Sequence, residues 1–233
     1  RGVINQINVI TFDHYIDLIY NTSFMHNVWN SFVIAAITTI ICLAIGILGS
    51  YAMTRLKYPG RSFFRNSIII SYLMPTAVLF VPMYVFVSSL GFYDNKYALL
   101  IIYPTFVVPY CCYMLISYFK AIPYALEEAA LIDGCNRLQT LWYIIMPIAL
   151  PGIAVVATFA FTMAWNEYLY AMIMTTSNVQ KTATVAISGF KYADSAIWGR
   201  IMSASVVCSL PVTLLYIAAQ SMLISGKYEG SVK

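Results

Sequence analysis

Charge is what the sequence has least of. Only 9% of the 233 residues are Asp, Glu, Lys or Arg, whereas soluble domains carry about 25%. Hydrophobic residues make up 61% of the chain. That balance excludes an ordinary soluble domain and points to a polytopic membrane protein. Histidine is nearly absent: His14 and His26 lie in the polar N-terminal stretch and are too few for a metal site. The five cysteines, Cys42, Cys111, Cys112, Cys135 and Cys208, lack zinc-ligand spacing with a histidine. Four of them fall in apolar runs, where they read as small buried hydrophobes. No GxxxxGK[ST], GxSxG, HExxH or GxGxxG pattern occurs, so nothing is arranged for covalent chemistry. The net charge of +4 requires no nucleic-acid partner, because basic loops on one membrane face account for it. Arg1 is not an initiator methionine, and the start of the chain is expected to be missing.

What is present is a series of apolar runs. A spanning helix needs about 20 mostly apolar residues. Five stretches qualify: Asn30–Met53, Phe64–Val87, Ala98–Phe119, Ile148–Thr175 and Ile201–Ser225. Pro75, Pro82, Pro104, Pro109, Pro151 and Pro211 lie within them. Each can kink its helix and free carbonyls that neighbours or a wet cavity must satisfy. The loop Thr54–Arg61 carries Arg55, Lys57 and Arg61, with Arg65 just beyond, and so reads as cytoplasmic. Lysines and arginines then divide eight inside to five outside, of 13 in all. Residues 1–29 read as an extracytoplasmic amphipathic segment, in which Thr11–Tyr20 can form a short helix at the outer surface. Residues 30–225 form the transmembrane domain, and 226–233 a cytoplasmic tail. An outside N-terminal segment implies one further span before it, six in the intact subunit. The expected fold class is an all-α integral membrane protein.

One polar insert interrupts the apolar pattern, between the third and fourth spans. Its residues suit a two-helix elbow over 123–147. Pro123 fits a first helical turn, and Glu127 and Glu128 lie near the positive end of the helix dipole. Ala129 and Ala130 favour helix and let another surface approach. Gly134 can take the left-handed conformation that ends a helix. Asn136 can cap a second helix, which Pro147 then closes.

The insert resembles the EAA loop of ABC importer inner-membrane permeases. The family pattern is Glu-Ala-Ala, three residues, Gly, nine residues, then Ile-x-Leu-Pro. Here it reads Glu128-Ala129-Ala130, Gly134, and Ile144-Ile145-Met146-Pro147, with Met146 in place of leucine. Leu90-Gly91, Asn95, Ala98, Ile122-Pro123, Trp165-Asn166-Glu167, Trp198-Gly199, Met202, Ala204, Pro211 and Gln220 resemble the carbohydrate-uptake, MalG-like branch. The resemblance implies a type I importer permease fold in a bacterial inner or plasma membrane. It implies that Glu127, Glu128, Ala129, Ala130, Leu131, Asp133, Gly134 and Pro147 form a coupling helix and loop docking on an ATPase subunit. It also implies partners: a homologous permease, two cytoplasmic ATP-binding subunits and an extracytoplasmic sugar-binding protein met by the loop Thr176–Arg200. ATP and magnesium would be bound by the ATPases, leaving this chain without a cofactor or catalytic residues. In the tail, Lys227, Tyr228 and Glu229 stand where the family has smaller residues.

A second group is Trp165, Asn166 and Glu167, with Tyr168 and Tyr170 close by. An ionisable residue in an apolar span marks a functional site. At 1.5 Å rise per residue, Glu167 lies about 28 Å above Ile148, high in the outer membrane half. An indole beside carboxylate and amide groups suits a sugar's C–H faces and hydroxyls. The competing reading is structural, with Glu167 pairing with a partner subunit or capping the cavity's outer end. Three other functions stay open. An ion-coupled secondary carrier predicts several intramembrane acids and paired inverted repeats. An ABC permease for a polyamine, amino acid or metal chelate keeps the elbow and changes the cargo. An intramembrane enzyme requires a nucleophile–base or metal constellation.

Overall fold

The computed structural model describes residues 12–192, 195–196 and 198–230, and side chains at 12–190 and 198–220. A short helix α1 (Asp13–Tyr20) precedes the long α2 (Phe24–Arg55). Next come α3 (Arg61–Leu73), a 3₁₀ turn (Thr76–Leu79) and α4 (Phe80–Ser89). A second 3₁₀ turn (Lys96–Ala98) leads into α5 (Leu99–Ile102) and α6 (Pro104–Ala121). The insert forms α7 (Ala125–Ile132) and α8 (Arg137–Thr140), and α8 runs through a π turn (Leu141–Ile145) into α9 (Met146–Trp165). Two short helices, α10 (Leu169–Met174) and α11 (Ala183–Ser188), come before a two-residue hairpin (β1, Lys191–Tyr192; β2, Ser195–Ala196) and α12 (Trp198–Gly230).

Three runs are long and apolar enough to cross a membrane: Phe24–Arg55, Arg137–Trp165 and Trp198–Gln220. Two bent pairs raise the number to five, Arg61–Leu73 with Thr76–Ser89 and Lys96–Ile102 with Pro104–Ala121. The first pair turns by 90° and the second by 42°. The second span is therefore broken where the sequence reads as continuous. Pro75 disfavours the helical region for the residue before it, and Met74 is extended at φ −72°, ψ 128°. Pro109, Pro151 and Pro211 remain inside helices.

The other boundaries shift too. The first span begins at Phe24 rather than Asn30. The fourth ends at Trp165, not Thr175, because the chain breaks before α10. Pro147 does not close the second elbow helix; it sits in the first turn of α9, and the helical run passes through it. Its missing N–H cannot serve the preceding turn, and the π turn absorbs the mismatch immediately upstream. The helix after the hairpin extends to Gly230, so the expected tail begins as helix. Residues 231–233 lie outside the described residues.

α2, α6 and α9 make the core. Cys42, Ile47 and Tyr51 meet Val107, Cys111, Leu115 and Phe119, with Leu141, Ile145, Ala149 and Val156 closing the third side. Without a hydrophobic force in lipid, small residues let helices pack closely. At Gly46 an added Cβ would lie 2.9 Å from the Cβ of Cys111. Ser50 Oγ donates to the Cys112 carbonyl at 3.2 Å.

At the end remote from the elbow, the loop after α10 is clasped by polar side chains. Asp94 accepts from Thr176 N (2.8 Å) and Ser177 N (2.9 Å), which lowers its carboxyl below the ordinary value. Asn30 Nδ2 donates to the Val179 and Lys181 carbonyls at 2.8 and 3.1 Å. α1 is mostly exposed and is seated through one face. Leu18 is buried with Phe24, Ala183, Ala186 and Ala204, and Asp17 pairs with Arg200 at the start of α12.

Candidate functional site

The elbow's local chemistry is as its residues dictate. Gly134 has φ +90°. Cys135 N donates to Ala130 O (3.0 Å) and Gly134 N to Leu131 O (3.2 Å), the paired bonds of a Schellman ending. Asn136 and Gln139 form a reciprocal capping box at 2.9 and 2.8 Å. The eight elbow residues divide by face. Glu128, Ala129, Asp133, Gly134 and Pro147 are exposed, Leu131 is half-buried, and Glu127 and Ala130 are buried. Residues three apart share a helix face, so Glu127 and Ala130 point together into the bundle. Glu127 is thus separated from the outward residues with which the sequence grouped it.

The partners of Glu127 come from distant parts of the chain. Arg55, the last residue of α2, lies with Nε 2.7 Å from Glu127 Oε1, its side chain 8% exposed against 0% for Glu127. Arg137 Nη1 stands 3.8 Å from Oε2. Arg55 Nη2 also donates to the Phe119 and Ile122 carbonyls, each at 2.6 Å, supplying the orphan acceptors at the end of α6. The Tyr124 ring lies 5.7 Å from the guanidinium carbon. One buried arginine therefore joins the ends of the first and third spans to the first elbow helix. Burial raises the Glu127 carboxyl above its ordinary value, opposed by the charges of Arg55 and Arg137. Arg61 acts similarly nearby, donating to the Met53 and Thr54 carbonyls at 2.6 Å. Sequence reasoning counted Arg55 only as loop charge. Its place at the end of a long apolar run was the available signal.

The second group is also divided. Trp165 is 3% exposed, stacks on Phe161 and donates from Nε1 to the Cys208 carbonyl at 3.1 Å. Glu167 caps α10: Oε1 accepts from Tyr170 N (3.0 Å) and Oε2 from Ala171 N (3.1 Å). Tyr103 Oη donates to the same carboxylate at 3.0 Å, and Thr184 Oγ1 donates to the Glu167 carbonyl at 2.9 Å. Tyr170 is buried, and its hydroxyl donates to Thr76 O at 2.8 Å, beside the break in the second span. Asn166 and Tyr168 are exposed. Tyr168 donates to Met172 Sδ at 3.0 Å. Thus the Glu167 carboxylate is engaged within the chain, and Tyr103 and Thr184 are partners no local pattern reveals.

Comparison with known proteins places this architecture. The chain is 37% identical over 226 residues to the inner membrane ABC transporter permease protein YcjP of Escherichia coli, covering 96% of this chain and 80% of that one. It is 32% identical to the trehalose/maltose transport system permease protein MalG of Thermococcus litoralis, covering 88% and 74%. With the trehalose transport system permease protein SugB of Mycobacterium tuberculosis it shares 30% identity, covering 97% and 83%. Its fold is like that of a bacterial ABC transporter importing the acidic polysaccharide alginate, with TM-score 0.75, 22% identity, and 91% and 79% of the two chains covered. A family model matches residues 44–226. The chain belongs to the binding-protein-dependent transport system inner membrane components.

Proposed function

We propose that this chain is the membrane-spanning subunit of an ATP-driven importer of oligosaccharides or related sugars, working by alternating access. The sugar assignment rests on the relatives named for trehalose and maltose transport. The partners in this reading are a homologous permease, two cytoplasmic ATP-binding subunits and an extracytoplasmic sugar-binding protein. ATP and magnesium belong to the ATPases, and this chain contributes no catalytic residue.

The elbow is the observation that carries the mechanism. Its outer face offers Glu128, Ala129 and the apolar Ile132 and Leu138, 86% and 61% exposed. Its inner face is fixed through Glu127 to the ends of two spans. A short helix exposed on one side and fixed on the other passes rigid-body motion from an ATPase to the bundle. Closure of the ATPases then tilts the subunit outward-open against a loaded binding protein, and hydrolysis resets it. Each ligand shifts this equilibrium only by its differential affinity for the two states. On the far side, Asn166 and Tyr168 are the residues of the Trp165–Tyr170 group left facing outward, over a frame made by Trp165, Glu167 and Tyr170.

The test uses the reconstituted importer. Glu128→Arg and Gly134→Pro should abolish uptake and substrate-stimulated ATP hydrolysis while membrane insertion stays normal. Wild-type uptake and undiminished ATPase co-purification in both variants would overturn the docking role.

A further inference from the structure

A cavity of about 470 Å³ opens beside the elbow, lined by Arg55, Leu56, Lys57, Tyr58, Tyr124 and Arg137. Three cations reach this wall, and the single carboxylate behind it, Glu127, is already held against Arg55 at 2.7 Å. Arg55 is further occupied by two carbonyls. Arg137, 43% exposed and 3.8 Å from Glu127, is only partly neutralised, and Lys57 is exposed. The cavity therefore carries an excess of about two positive charges, counting three cations against Glu127. Two tyrosines complete the lining, with hydroxyls suited to an oxyanion.

We infer that this cavity binds a phosphate-bearing anion, and that its natural occupant is the headgroup of an anionic phospholipid in the leaflet on the elbow side. Three observations select this chemistry. An exposed guanidinium and an exposed ammonium suit phosphate oxygens. The cavity starts where the apolar run Phe24–Arg55 ends, the depth at which headgroups lie and tyrosines concentrate. Leu56, the residue after that run, adds an apolar side chain to the lining, suited to the start of an acyl chain. Neither Glu128 nor Ile132, which project from the elbow, lines the cavity, so a headgroup can occupy it beside a docked ATPase. The inference uses the proposed orientation, with the elbow in the cytoplasm. An occupant holding Arg137 competes with Glu127 for it, so occupancy is felt at the base of the elbow.

The experiment uses the assembled importer purified in detergent with phosphatidylglycerol, the retained lipid being measured by native mass spectrometry. Each cation near a headgroup contributes about fivefold in affinity. Lys57→Gln should lower retention about fivefold and Lys57→Gln/Arg137→Gln about 25-fold. Arg65→Gln, which removes a nearby cation that does not line the cavity, should leave it unchanged. Inorganic phosphate is the competitor that separates the sources. Failure to displace the lipid supports the headgroup, whereas displacement at low concentration would overturn the lipid assignment in favour of free phosphate. Equal retention by wild type and double variant would overturn the site. Unchanged retention with lost ATPase co-purification would overturn it too, and give these cations to an acidic surface of the ATPase. Uptake by the same variants reconstituted into sealed vesicles distinguishes failure of the site from failure of the importer reading.

Discussion

Arg55 and Glu127 show what a single side chain controls. Removing one member of a buried pair leaves an uncompensated charge and costs about 3–5 kcal/mol, whereas replacing both by apolar groups is often neutral. Arg55→Met should therefore lower thermal stability in detergent strongly, and Arg55→Met/Glu127→Leu should recover most of the loss. Equal melting of the single and double variants would show that the Phe119 and Ile122 carbonyls, rather than Glu127, are the contacts that count. The raised Glu127 carboxyl also makes a pH prediction. A group whose pKa is higher in the folded state gives stability that is full below its unfolded value and lost as pH rises through the folded value. Wild-type stability relative to Glu127→Gln should thus fall from the ordinary carboxylate range upward and level off above the raised value. A rise over that window would reverse the sign of the shift. Little of this was legible beforehand. Glu127 has the local environment of a dipole-capping acid, and its real partner follows the first span. Glu167 likewise reads as an acid stranded in an apolar run, because its cap on α10 needs a chain break that Asn166–Tyr168 do not announce.

Among whole elements, the six prolines within the expected spans form the clearest lesson. They share one local constraint but have different outcomes. Pro109, Pro151 and Pro211 stay within helices, and only at Pro75 does the run turn by 90°. The difference lies in the surroundings: at Pro75 the preceding residue is extended and Tyr170 reaches across to accept the role of donor for Thr76 O. Pro75→Ala should partly straighten the second span, lengthening the spin-label distance between sites at Ile70 and Val85. An unchanged distance would assign the bend to Tyr170, and Tyr170→Phe on the Pro75→Ala background would then be the variant that lengthens it. The elbow was legible because its signals are local. Gly134 and Asn136 settle their own turns through adjacent backbone. Pro147 misled for the same reason, since a five-residue π turn absorbs the defect a regular helix would not.

For the molecule as a whole, apolar runs were enough to mark the three helices long enough to cross a membrane and the two bent pairs, because hydropathy acts on every residue in lipid. They could not give the cross-connections, which join segments far apart in the chain. This division governs how the subunit is made. Arg55 emerges before the second span, while Phe119, Ile122 and Glu127 emerge only with and after the third. Until the third span inserts, the arginine has none of these partners and the elbow no seat. A chain halted after Ile145 should already protect its elbow from trypsin cleavage at Lys120 and Arg137, and the same halted chain carrying Arg55→Met should be cut rapidly. Equal cutting of the two would show that the elbow gains its order from later spans. Faster cutting of the variant would make the seating of one guanidinium a checkpoint in biogenesis: a subunit whose first and third spans have not met has no seat for its elbow.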